Sequence, residues 1–184
     1  NTPLGTTGGA TTVSSGAALD LNGYSLGTSE AITISGTGVS SNGAITNSSA
    51  TGATYSGLVT LGAAASIIAA SGDINISNTG TITGATFGLT VGGTYNGTLT
   101  SVLGTTSGTL TKSGTGTWTI YADNTYTGLT TISDGTLKLG AAGGGTNTPL
   151  GTTGAGTTVA DGATLDLNGY TLSTAEALTI SGTG

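Results

Sequence analysis

The chain contains a near copy of its own beginning. Residues 1–38 read NTPLGTTGGATTVSSGAALDLNGYSLGTSEAITISGTG, and residues 147–184 read NTPLGTTGAGTTVADGATLDLNGYTLSTAEALTISGTG. The two align without a gap at an offset of 146, with 29 of 38 positions identical. Self-similarity at a fixed long spacing marks architectures in which each unit buries its apolar face against the next. The expected organisation is one long unit over residues 1–146 and the start of the next over 147–184, in a continuous array. The chain opens on Asn1 with no methionine and no signal-like segment, as an internal or processed portion would.

Within the unit, short stretches alternate aliphatic and polar residues with a period of two. Examples are Ile32-Thr33-Ile34, Ile74-Asn75-Ile76, Leu89-Thr90-Val91, Trp118-Thr119-Ile120 and Leu137-Lys138-Leu139. Alternation predicts strands with aliphatic side chains on one face and Thr, Ser and Asn on the other. Asn22-Gly23, Asn42-Gly43, Asn96-Gly97, Asp134-Gly135 and Asn168-Gly169 separate these stretches. Such pairs tolerate the positive φ of sharp corners. Strands of three to five residues suit a coil of roughly 20 residues per turn, stacked about 4.8 Å apart. The expected fold is all-β, a parallel β-helix (β-solenoid) of about seven rungs per unit, with a β-sandwich as the alternative.

Composition narrows the function. The 184 residues include only two cations, Lys112 and Lys138, and eight acids, for a net charge of −6. Two lysines cannot neutralise a phosphate backbone, which speaks against nucleic acid. Without histidine or cysteine there are no usual ligands for zinc, copper or haem, and no disulfides or thiol chemistry. No apolar run reaches the roughly 20 residues of a membrane span. The 36 glycines suggest low complexity, but 35% hydrophobic residues in ordered alternation argue for a folded chain.

Residues 110–140 read LTKSGTGTWTIYADNTYTGLTTISDGTLKLG. Lys112, Gly114 and Gly116 precede an apolar stretch with Trp118 and Ile120. Asn124-Thr125-Tyr126-Thr127-Gly128, Thr130-Thr131-Ile132 and Gly135-Thr136-Leu137 follow. This segment resembles the autotransporter-associated β-strand repeat of bacterial passenger domains and giant surface proteins. The resemblance implies a right-handed parallel β-helix, exported and displayed on a cell surface. The chain departs from the family in having no translocator barrel and a unit of 146 residues, long for that repeat.

Each candidate site has a plain structural role beside it. Asp123, Asp134, Lys112 and Lys138 are the only residues resembling a polysaccharide-cleaving set. Eleven residues separate the two aspartates, which predicts different faces and turn-capping roles. Asp20, Glu30, Asp166 and Glu176 make a poor calcium cage and read as solvated acids. The pairs Thr81/Thr83, Thr98/Thr100, Thr109/Thr111 and Thr117/Thr119 suggest an ice-binding array, yet their spacing fits no single rung length. Gly143-Gly144-Gly145 lacks the lysine and helix of a phosphate loop. Asn47, Asn75 and Asn96 lie in glycosylation sequons, and an isopeptide bond from either lysine to an asparagine is a further candidate. Trp118 shares its parity with Ile120 and reads as core, leaving Tyr121 or Tyr126 as candidate glycan contacts.

The expectation is a structural or adhesive extracellular segment without catalytic residues, metal or cofactor. It would form a rigid rod or fibre at a bacterial surface through end-to-end stacking with itself. An ice- or glycan-binding adhesin, with surface glycans as partner, is the alternative.

Overall fold

The computed structural model describes residues 3–182, and they form a parallel β-solenoid of about eight turns. Each turn runs along three faces, and each face is a ladder of short strands stacked in parallel along the axis. The first face carries Thr11–Val13, Ile32–Gly36, residues 59–61, Thr81–Ile82 and Val102–Leu103. Backbone bonds from Thr125 N–H to the Leu103 carbonyl and from Asn124 N–H to the Thr148 carbonyl continue it. The second face carries Leu19–Asp20, Ile45–Thr46, residues 65–69, Leu89–Gly93, Leu110–Lys112, Thr130–Ile132, Thr157–Val159 and Leu178–Ile180. The third carries Ala53–Tyr55, Ile74–Ile76, Gly97–Leu99, Thr117–Ile120, Thr136–Leu139 and Thr164–Asp166.

The period-two pattern fixes which side chains enter the lumen. On the third face Tyr55, Ile76, Leu99, Ile120 and Leu139 are register partners in one inward column. Each is fully buried. The neighbouring column runs Ala53, Ile74, Gly97, Trp118, Leu137. Trp118 fits because the rung before it has a glycine in that column; a β-carbon on Gly97 would fall inside the indole. Burying each large aliphatic side chain contributes about 1.5–3 kcal/mol, which accumulates only as rungs stack.

Two sequence expectations need correction. Rungs are not uniform at 20 residues: successive register partners lie 21 apart for Thr11/Ile32, 27 for Ile32/Val59 and 20 for Leu110/Thr130. The excess is taken up in corners, among them a 3-10 turn at Val39–Ser41. Strand length also exceeds five residues once. Val59–Ala69 runs 11 residues from the first face onto the second, turning the corner at Gly62, Ala63 and Ala64 without leaving strand geometry. Small side chains permit that bend.

Asn22-Gly23 and Asn168-Gly169 form left-handed corners, with φ of 45° and 78° and of 51° and 77°. Asn96-Gly97 does not: Gly97 is a strand residue, and its glycine serves Trp118. A small antiparallel pair, Asn147–Thr148 with Gly151–Thr152, is the one departure from parallel pairing among the named strands of the described residues.

Leu99→Ala should lower stability by about 2–5 kcal/mol through a cavity in its column. Thr98→Ala, one residue earlier and pointing outward, should cost about 1 kcal/mol or less. Urea unfolding followed by circular dichroism separates the two.

Candidate functional site: polar groups inside the coil

Strand alternation places Lys112 on the inward parity of Leu110, between Val91 and Ile132 in a lumen column. It is fully buried. Its ammonium donates to the carbonyls of Ser113 at 3.0 Å, Gly114 at 2.6 Å and Asp134 at 3.0 Å. Three carbonyls at the corner into the third face therefore replace water for the ammonium. Burial pulls Lys112 down to about 8 from 10.5, with the Asp134 carboxylate opposing the shift. Lys112 is thus a charge inside the coil, and Glu30, read from the sequence as a solvated acid, is likewise buried.

Asn124 occupies the corner into the first face, also buried. Its Oδ1 accepts the Leu103 N–H at 2.6 Å, and its Nδ2 donates to the Pro149 carbonyl at 2.7 Å. One amide therefore ties three successive rungs. Tyr126 is buried two residues on, its hydroxyl 2.6 Å from Thr130 Oγ1. That burial excludes Tyr126 as a glycan platform, whereas Tyr121 stays exposed. Burial and, more weakly, the charge of Glu176 raise the Tyr126 phenol, the Thr130 bond opposing them. Trp118 is core as expected, with Nε1 donating to the Gly92 carbonyl at 3.0 Å.

The acids take separate places. Asp134 Oδ1 accepts the Gly135 N–H at 2.7 Å, a turn cap as anticipated. Asp123 is exposed at the opposite end of the third face, so these two carboxylates do not converge. Lys138 meets Asp166 at 3.5 Å on the partly exposed outer surface, a contact of little energetic weight. Partial burial pushes Asp20 upward, but hydrogen bonds from Ser48 and Asn22 outweigh it and hold the carboxyl below its usual range. Glu30 is not the solvated acid expected: Oε1 accepts from Thr11 Oγ1, and Oε2 is buried without a partner. Among the described residues, no three acids gather into a cation site.

The remaining candidates resolve similarly. Asn47 is buried and makes four bonds, accepting from the Gly23 and Ser49 N–H groups and donating to the Thr51 and Asp73 carbonyls. Its amide is closed to glycosylation in the folded chain. Asn75 accepts from Thr98 Oγ1, and Asn96 Oδ1 accepts the Thr117 N–H at 3.0 Å. Lys112 faces backbone carbonyls rather than an asparagine side chain. The Thr-x-Thr pairs scatter: Thr98 and Thr119 are partners on the third face, while Thr111 stacks between Thr90 and Thr131 on the second. Spacing alone missed the outward ladder Thr90, Thr111, Thr131, Thr158, Thr179, because the rungs differ in length.

Asn124→Leu should destabilise the chain by about 1–3 kcal/mol, since it strands the Leu103 N–H and the Pro149 carbonyl. Lys112 gives a pH signature. Its folded-state value lies below its unfolded one, so between about 8 and 10.5 the unfolded chain binds more protons and stability rises with pH. Below 8 the cost of the buried charge is constant. In Lys112→Met that rise between pH 8 and 10 should vanish, as read by urea titrations at several pH values.

Residues 110–139 match the family model described as passenger-associated-transport-repeat. No curated protein and no solved structure matches the chain significantly. The matched segment holds buried Tyr126 and four buried side chains, those of Lys112, Trp118, Asn124 and Thr130, that bond backbone groups of neighbouring rungs. Over residues 110–139 the chain therefore matches the passenger-associated-transport-repeat, set within a β-solenoid as an autotransporter passenger repeat is.

Proposed function

We propose that this chain is a structural segment of an extracellular surface protein, acting as a rigid rod that continues end to end into further copies of its unit. The matched passenger-associated repeat supports export to the cell surface. One comparison between the two copies carries the end-to-end reading. Ile32 and Ile34 are 1% and 0% exposed beneath the strand that begins at Val59. Leu178 and Ile180 stand at the corresponding positions of the second copy, on a strand paired in parallel with Thr157–Val159 just as Ile32 and Ile34 pair with Thr11–Val13. The second copy therefore repeats the aliphatic alternation on which a further rung stacks in the first copy.

The role is mechanical rather than catalytic in this reading. Lys112 is tied to carbonyls, Asp134 to a turn, and Lys138 to Asp166, so these candidates do not converge on a common substrate position. Among the described residues no helix is long and apolar enough to cross a membrane. A second reading, an adhesin gripping ice or a glycan, draws on the outward threonine ladder of the second face.

Electron microscopy and fibre diffraction of the assembled protein test the rod. Smooth filaments with an axial repeat of about 4.8 Å are expected. Leu178→Lys with Ile180→Lys should shorten or abolish them, whereas discrete globules from the unaltered chain would refute the reading. Thermal hysteresis in the unaltered protein would favour the adhesin instead.

A further inference from the structure

The two copies share one local structure. Thr11 Oγ1 donates to Glu30 Oε1, and Thr157 Oγ1 donates to Glu176 Oε1 at 2.9 Å. Asn22 N–H bonds Asp20 Oδ1 at 2.9 Å, and Asn168 N–H bonds Asp166 Oδ1 at 2.8 Å. Thr11 and Thr157 N–H groups bond the Ala31 and Ala177 carbonyls.

Their places on the coil nevertheless differ. Thr11–Val13 stacks with Ile32–Gly36 and, through it, with residues 59–61, on the first face. Thr157–Val159 stacks with Thr130–Ile132 and, through Leu110 and Leu89, with residues 65–67, on the second. Val59 and Ala65 lie on one strand, six residues and one corner apart. From Thr11 the first face is revisited at Ile32, Val59, Thr81, Val102, Asn124 and Thr148, which is six turns. Thr157 lies one face beyond.

We propose that each 146-residue unit is mounted one face further round the coil than the unit before it, so that the surface of an array returns to the same orientation only every third unit. This rests on the array reading above. The unit holds six turns and one face, so three units hold nineteen turns, roughly 90 Å at about 4.8 Å per rung. The outward threonines already follow this path. Thr12, Thr33 and Thr60 stack on the first face, and Thr90, Thr111, Thr131, Thr158 and Thr179 on the second. A flat partner surface would meet the same face of every third unit. A partner surrounding the rod would meet every unit.

Engineered disulfides read the mounting directly, because parallel register partners lie about 4.8 Å apart, within the span of a cystine. Thr131→Cys with Thr158→Cys should close a bridge on mild oxidation. Thr125→Cys with Thr158→Cys, which would pair had the second copy started on the first face, should stay reduced. Thr33→Cys with Thr60→Cys serves as a folded-chain control and should close. Closure of the Thr125 pair, or an open Thr131 pair in a chain whose control pair closes, overturns the proposal. If the control pair also stays open, cross-strand amide contacts in the unsubstituted chain decide by NMR: Thr157 against Thr130 supports the face shift, and Thr157 against a first-face strand overturns it. Bridges form within single chains, so an absence of filaments under the microscope would remove the array while leaving the face shift measured.

Discussion

Every feature of this chain depends on hydrogen bonding that runs along the coil axis, which holds each inward side chain above its counterpart one turn away. Register is then everything. Because successive side chains point to opposite faces, a slip of one residue would turn a whole rung inside out. The columns Tyr55, Ile76, Leu99, Ile120, Leu139 and Val91, Lys112, Ile132, Val159 exist only in one alignment of the turns. Aliphatic side chains alone specify this weakly, since Leu, Ile and Val fit one another's places at modest cost.

The buried polar groups supply the missing specificity. Lys112, Asn124 and Asn47 each bond their side-chain polar atoms to backbone groups, several of them on neighbouring rungs. A misregistered turn would leave those donors without acceptors, at a cost of about 1–3 kcal/mol per neutral group and more for an ammonium. The conspicuous residues of the matched repeat are thus explained as internal fasteners between turns, which accounts for their presence in a chain otherwise built from small and aliphatic residues.

Much of this was legible beforehand, and the parts that were not have physical causes. Alternation such as Ile74-Asn75-Ile76 named the strands and their inward residues, and Asn22-Gly23 and Asn168-Gly169 named the corners. The same alternation sets Lys112 on the parity of Leu110 and Tyr126 on that of Asn124, although an ammonium and a phenol are chemically suited to water. Turn length was hidden because corners such as residues 37–43 absorb extra residues without altering the strands they join. Glu30 was hidden too: its burial follows from meeting Thr11, a contact between residues 19 apart that no local pattern announces.

Trp118 lying over Gly97 has a bearing on how such a chain can change over generations. The indole is accommodated by an absence one turn earlier, so neither position is free to vary without the other. An insertion or deletion of a whole turn between them would bring the tryptophan over a different side chain and leave a hole beneath nothing. Growth by duplication is thereby steered towards long blocks that carry both partners together, and away from the gain or loss of single turns.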